Sequence, residues 1–184
     1  MPYIFRLRSG FPKSQAAALA ARRTFDDREL IIIGRRSRAA GLYSVDDFLK
    51  ICEISTSAKL CGTNLPERIK NNTSLAISST SERTRIRAFM RLAGVSWYTA
   101  SVFLHYTFEN EYPVLSRRTM WSWGYDKKPA VVSFPFWWDY VLASRLLAQE
   151  CDLTMRDLDR ALRQYTTEQK ETPPFPAASR ATFA

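Results

Sequence analysis

The stretch best suited to chemistry is a short hairpin between two helical patterns, from Leu92 to Leu104. It places Gly94 in a tight turn and makes Ser96 the N-cap of the second helix. The backbone N–H groups that begin a helix lack partners within it and, with the helix dipole, attract anions. Because the chain carries a formal charge of +9, we expect the anion at this turn to be a nucleic-acid phosphate.

Aromatic side chains are concentrated downstream of this hairpin. Four of the five tryptophans lie within eighteen residues, at Trp121, Trp123, Trp137 and Trp138. They could stack on an extruded base, or they could be core residues of the last helices. We expect most of them to be core residues, and regard Trp121 and Trp123 as candidates for a base pocket. His105, the single histidine, is a further candidate for the pocket, with a hydrogen-bonded packing role as the favoured alternative.

The hairpin carries a resemblance to a known family. Leu92-Ala-Gly-Val-Ser-Trp-Tyr-Thr-Ala100 resembles the hairpin of helix-hairpin-helix DNA glycosylases of the endonuclease III type, whose pattern is L-P-G-V-G-x-x-T-A. The segment from Tyr112 to Gly124 resembles the part of those enzymes that carries their catalytic aspartate, and 136–165 resembles a small, little-characterised branch. The similarity is clear over 81–168, fainter before it, and absent from 1–43.

The resemblance implies that the hairpin and nearby arginines contact double-stranded DNA. The residues that it indicates are Arg91, Gly94, Val95, Ser96, Trp97, Tyr98, Thr99, Arg117 and Arg118. For the arginines, phosphate contact is one interpretation and a solvated helix face is the other. The resemblance further implies that no cofactor is required, although the hairpin could hold a monovalent cation, as in some members. One histidine cannot build a His-rich metal site, and we expect no metal.

Three positions depart from the family pattern. Ser96 replaces the second hairpin glycine, and a serine there can still cap the helix and donate to phosphate. Tyr98 stands where bifunctional members carry a lysine nucleophile, so a Schiff-base route is not expected. Ser116 stands at the position of the catalytic aspartate, because it follows Tyr98 by 18 residues, the family's lysine-to-aspartate spacing.

Ser116 weakens the expected chemistry. A monofunctional glycosylase extrudes a base and hydrolyses its bond to the sugar, and a carboxylate stabilises the positive charge on that sugar. A neutral serine does this poorly. The chain could be a DNA-binding pseudo-enzyme, or it could carry an aspartate-to-serine change that traps a substrate complex. It could instead use another carboxylate, and the nearest in sequence are Asp126, Asp139, Glu109 and Glu111.

The sequence therefore favours one function and leaves others open. We expect a DNA N-glycosylase-like protein, a hydrolase that leaves an abasic site in damaged or modified DNA, as in base-excision repair, and that is impaired by Ser116. The alternative is a non-catalytic module that recognises damaged or modified DNA. A helical structural protein with an accidental hairpin match is the third interpretation.

Composition limits the class of protein. The 184 residues are 46% hydrophobic and 13% aromatic, which excludes a mainly disordered chain. Residues 1–100 hold 17 Lys and Arg against 8 Asp and Glu, whereas 101–184 hold 10 of each. Three cysteines, no apolar run long enough to span a bilayer and no secretory pattern predict a reduced, intracellular, cytoplasmic protein with no membrane contact. We expect a monomer.

The periodicity of apolar residues predicts an all-α protein. Helices are expected from Ser14, Ser44, Pro66, Ser81, Ser96, Pro135 and Thr154. Only 30–33, which is apolar and β-branched, has a strand-like composition. We divide the chain into a basic N-terminal extension at 1–43, a helical helix-hairpin-helix domain at 44–170 and a flexible proline-containing tail at 171–184.

Overall fold

Ten α-helices and one turn of 3-10 helix form the regular structure of the described residues. The computed structural model describes residues 4–54, 58–127 and 131–171, and those ranges contain no strand, in agreement with the predicted all-α class. The elements are η1 Lys13–Gln15, α1 Ala16–Arg22, α2 Arg28–Ala40, α3 Val45–Cys52, α4 Ala58–Cys61, α5 Pro66–Ser78, α6 Glu82–Met90, α7 Trp97–Thr107, α8 Arg117–Ser122, α9 Phe134–Glu150 and α10 Met155–Glu171.

Serine caps define where many of these helices begin. Each of the cap hydroxyls accepts a hydrogen bond from the backbone N–H three residues further on, and the capping residues are Ser44, Ser81, Ser96, Ser116 and Ser133. Pro66 lies in the first turn of α5, where a missing N–H costs nothing. The starts predicted at Ser44, Pro66, Ser81 and Ser96 are confirmed.

The apolar side chains form two clusters. The first combines α2, α3, α5, α6 and α7, with Phe48, Phe89 and Phe103 at its centre. The second combines α1, α8, α9 and α10. Helix α9 lies between them, because Trp137 belongs to the first cluster and Tyr140 to the second. The helices that carry the hairpin therefore share one core, and α8 lies in the other.

The first 43 residues contribute helices to both clusters. Helix α1 packs along α10, and α2 packs on α7. Segment 30–33 is helical despite its strand-like composition, in agreement with the predicted all-α class. Tertiary packing outweighs β-branched propensity here, because Gly34 has no side chain and α2 can lie directly against the carbonyl of Tyr106. The predicted C-terminal tail lies, from Thr172 onward, outside the described residues.

No helix within the described ranges has the length and apolar character needed to cross a membrane.

Candidate nucleic-acid interface

The hairpin between α6 and α7 is fixed by a clamp from outside it. The Asn64 side chain accepts a hydrogen bond from Ala93 N at 2.8 Å and donates to Ala93 O at 3.0 Å. The same amide donates to Cys61 O at 2.8 Å, which ties the turn to α4. Both backbone groups of Ala93 are thus satisfied by one side chain, and this fixes the shape of the turn.

Gly94 is required in this turn for two reasons. Its φ of +78° lies in the left-handed region, which favours glycine. A Cβ on Gly94 would also lie 2.8 Å from Cys61 N and 2.9 Å from Cys61 Sγ. The turn therefore packs backbone to backbone against the end of α4.

The start of α7 faces solvent. Ser96 is exposed and caps α7 by accepting a hydrogen bond from Thr99 N at 3.4 Å. Trp97 and Tyr98 are half-buried behind it, and Val95 and Thr99 are buried. Burial raises the pKa of Tyr98, so its hydroxyl stays protonated at neutral pH. Among residues 95–99, Ser96 is therefore the one exposed to an anion at the start of α7.

The arginines of α6 separate into two groups. Arg85 points inward, where it donates to the Tyr112 hydroxyl at 2.6 Å and to the carbonyl of Ser79 at 2.5 Å. Arg83, Arg87 and Arg91 are exposed and, spaced four apart, lie along one side of the helix. That row ends at the hairpin turn and faces solvent, whereas Arg85 has a packing role.

Ser116 is the N-cap of α8. Its hydroxyl accepts from Thr119 N at 3.2 Å, and its own N–H donates to Thr119 Oγ1 at 3.0 Å, so the pair forms a capping box. The preceding residue is tied to the hairpin helix, because Leu115 N donates to Ser101 Oγ at 2.8 Å. Ser101 in turn donates to Tyr98 O at 2.7 Å. These bonds hold residues 112–124, here called the Ser116 segment, against the second hairpin helix, α7.

Other candidate carboxylates have arginine partners of their own. Asp126 is paired with Arg8 at 2.5 Å, and its side chain is 76% exposed. Glu109 is paired with Arg35 at 2.5 Å, and this hydrogen bond lowers its pKa. Glu111 lies 3.6 Å from an arginine of α2, and Asp139 is half-buried on α9. The ion pairs of Asp126, Glu109 and Glu111 are made with arginines and do not connect these carboxylates to Ser116.

The three candidates for a base pocket differ in accessibility. His105 is buried, its Nδ1 lies 2.8 Å from Tyr112 O, and burial lowers its pKa. It is therefore neutral, with the Nδ1 proton donated to that carbonyl. Trp123 is 5% exposed and contacts Phe5 edge-on. Trp121 is half-buried, and Arg8 lies 4.1 Å above its ring.

Sequence reasoning did not identify Asn64, which holds the hairpin turn, or Lys170, which lies beside Trp121. Asn64 acts across 29 residues of chain, and no local pattern around it indicates a clamp. Lys170 lies near the end of α10, and its Nζ is 5.1 Å from the ring centre of Trp121. Composition alone gives no signal for either contact, since each depends on how separate helices pack.

Comparison with known proteins yields no match: no family model fits the chain, and no curated protein or solved structure is significantly similar to it. The described side chains include no group of three or more His, Cys, Asp or Glu arranged to hold a metal ion. The function is therefore argued from the chemistry of the hairpin and the Ser116 segment.

Proposed function

We propose that this protein binds double-stranded DNA through the α6–α7 hairpin, as a glycosylase-like protein. The observation that carries the proposal is the clamped turn at Gly94, which presents the start of α7 and the exposed Ser96 to solvent. Backbone N–H groups there, together with the helix dipole, suit a phosphate. Arg91 lies immediately before the turn and is exposed.

The distribution of ion pairs supports this proposal. Many arginines elsewhere are neutralised by acids, as Arg36 is by Asp47 and Arg156 by Asp27. No ion pair to a described residue is recorded for four arginines around the hairpin and the Ser116 segment, namely Arg87, Arg91, Arg117 and Arg118. A polyanion binds such unpaired cations with release of its counterions.

Hydrolysis of a base–sugar bond is the reaction that we assign to the Ser116 segment. Ser116 occupies the position that the resemblance gives to a catalytic carboxylate, beside the second hairpin helix. A serine cannot stabilise a cationic sugar as a carboxylate does, and loss of a positioned base costs about 10²–10⁴ in rate. We therefore propose weak excision at most by the chain as it stands.

A second candidate is a DNA-recognition module without catalysis. The capping box favours it, because the Ser116 hydroxyl and N–H are both engaged with Thr119 in holding α8. In this alternative the serine has a structural role, and the hairpin alone provides the function.

Salt-dependent binding tests the DNA proposal. A fluorescein-labelled duplex would be titrated with wild-type protein, Arg91→Ala and Arg28→Ala between 50 and 200 mM salt. Arg28 is a suitable control because it is exposed and pairs with its neighbour Asp26. We expect Arg91→Ala to bind more weakly and to lower the salt slope by about 0.9, the value for one phosphate contact. Equal behaviour of the two variants would contradict a hairpin interface.

Base excision tests the role of position 116. Ser116→Asp and Ser116→Asn would be incubated with duplexes that carry damaged or modified bases, then treated with alkali to cleave abasic sites. Both residues cap helices as well as serine does, so α8 should persist in each. We expect cleavage with aspartate and much less with asparagine or serine. Binding without cleavage in all three proteins would favour the recognition module.

A further inference from the structure

A cationic cleft lies between α8 and the end of α10. It has a volume of about 270 Å³ and is lined by Arg117, Arg118, Thr166, Thr167 and Lys170. No carboxylate is among these lining residues. Three cations thus line one small concavity whose lining residues include no acid, and a concave surface of one charge sign attracts ions of the opposite sign.

The walls of the cleft are held in place by hydrogen bonds that leave the cations available. Thr166 Oγ1 donates to Arg118 O at 2.7 Å, and Thr167 Oγ1 donates to Arg163 O at 3.1 Å. Both hydroxyl protons are therefore used within the protein. The donors that remain for a ligand are the guanidinium groups of Arg117 and Arg118 and the ammonium of Lys170.

The positive field extends beyond the cleft. Burial, followed by the nearby charges of Arg163 and Arg118, lowers the pKa of Arg23. On this part of α10, Glu168 is bound by Arg22 at 2.8 Å and by Gln164 at 3.0 Å. Glu168 is thus engaged with Arg22 and is not among the residues that line the cleft.

We propose that the α8–α10 cleft binds a backbone phosphate of DNA as a second anchor beyond the hairpin. This inference rests on the proposed function, because it assumes that the ligand is the same DNA. Arginine forks match the oxygens of phosphate, and Lys170 adds a point charge. The volume is below the range of about 300–1,000 Å³ typical of small-molecule pockets, so the cleft suits one charged group of a larger ligand.

The position of the cleft relates it to the Ser116 segment. Arg117 and Arg118 follow Ser116 directly, and Leu115 is bonded to Ser101 of α7. A strand that contacted both the hairpin and the cleft would therefore pass the Ser116 position. Two phosphate contacts of this kind would determine which nucleotide lies at the Ser116 position. In this proposal Lys170 positions the DNA.

Lys170→Gln tests the anchor in the full chain. Lys50→Gln is the matched control, because Lys50 is a half-exposed lysine on α3, paired with Glu53 at 3.1 Å. With the labelled duplex we expect Lys170→Gln to lose about eightfold in affinity at 0.1 M salt, and about 0.9 of the salt slope, as one lost phosphate contact predicts. The control should bind like wild type. Normal binding by Lys170→Gln would overturn the anchor while the hairpin proposal stands.

Indole signals distinguish DNA phosphate from free phosphate. Lys170 Nζ lies 5.1 Å from the Trp121 ring, so the ¹⁵N–¹H indole signal of Trp121, assigned with Trp121→Phe, reports on the cleft. We expect duplex DNA to shift this signal at concentrations where inorganic phosphate does not. A shift with phosphate in a protein that binds no DNA would make the cleft a free-phosphate site and overturn the DNA anchor. Absence of DNA binding with no shift would overturn both proposals.

Discussion

At the scale of single residues, substitutions of two glycines can distinguish the effect of backbone strain from that of steric overlap. Gly41 and Gly94 have similar positive φ values, +72° and +78°. Nothing lies within 4 Å of a Cβ on Gly41, whereas one on Gly94 would lie 2.8 Å from Cys61 N. We expect Gly41→Ala to destabilise by about 1–2 kcal/mol from the left-handed conformation alone.

Gly94→Ala should cost more, because the backbone of α4 must also move. Urea unfolding of both variants measures the difference, and DNA titration shows whether the displaced turn still binds. We expect the greater loss of stability and a loss of affinity in Gly94→Ala only. Equal losses of stability in the two variants would mean that overlap with Cys61 adds nothing to the destabilisation.

His105 makes stability depend on pH in a defined window. Burial lowers its folded-state pKa below the ordinary 6.5, so the folded protein resists protonation that the unfolded chain accepts. Stability should therefore fall as the pH drops below 6.5, by at most about 1.4 kcal/mol per pH unit, until the folded-state pKa is reached. The chain has one histidine. His105→Gln should therefore reduce the dependence of the urea unfolding midpoint on pH between pH 7.5 and 5.5. Constant wild-type midpoints across that range would contradict this account.

At the scale of elements, the hairpin depends on α4 and the loop after it. Asn64 forms three hydrogen bonds with Ala93 and Cys61, so Asn64→Ala removes the side-chain partner of both backbone groups of Ala93. We expect a loss of about 1–3 kcal/mol in unfolding free energy and weaker DNA binding. Asn71→Ala, an exposed position on α5, is the control and should be near neutral. Unchanged DNA affinity in Asn64→Ala would show that the turn does not need the clamp.

Local signals in the sequence were sufficient for the helix starts but not for α2. A serine hydroxyl that caps a helix acts within three residues, so Ser44, Ser81 and Ser96 could be recognised without knowledge of the fold. The composition of segment 30–33 does not indicate a helix, because its helical state depends on α2 packing against α7, at Gly34. That contact joins parts of the chain more than seventy residues apart.

The features of the candidate site also divide into those set by local sequence and those that form only when separate helices pack. The turn at Gly94 is local, and the sequence predicts it. The cap at Ser116 is also local, but the helices expected from the sequence do not include α8. The Asn64 clamp and the α8–α10 cleft form only after folding, since Thr166 and Arg118 are separated by 48 residues. Whether the hairpin binds DNA stays a prediction, and the variants above address it.

At the scale of the whole molecule, a charged network joins the N-terminal helices to α10. Asp27, 5% exposed, is bound by Arg156 at 2.5 and 3.0 Å. Burial raises the pKa of Asp27, but the bonds to Arg156 and the charge of Arg160 outweigh this and lower it. Arg160 also donates to the carbonyls of Ala20, Arg23 and Phe25, which secures the connection between α1 and α2.

Asp27→Asn should therefore weaken the fold without affecting the interface. Removing one partner of a buried pair costs about 3–5 kcal/mol, and we expect about 2 kcal/mol because the Arg156 side chain is 38% exposed. Asp26→Asn is the matched control, since Asp26 and Arg28 are both exposed and no measurable change is expected. DNA affinity measured well below the unfolding temperature should equal that of wild type for both variants. A fall in affinity with Asp27→Asn would mean that the network also positions the interface, because Arg160 lies on the same helix as Lys170.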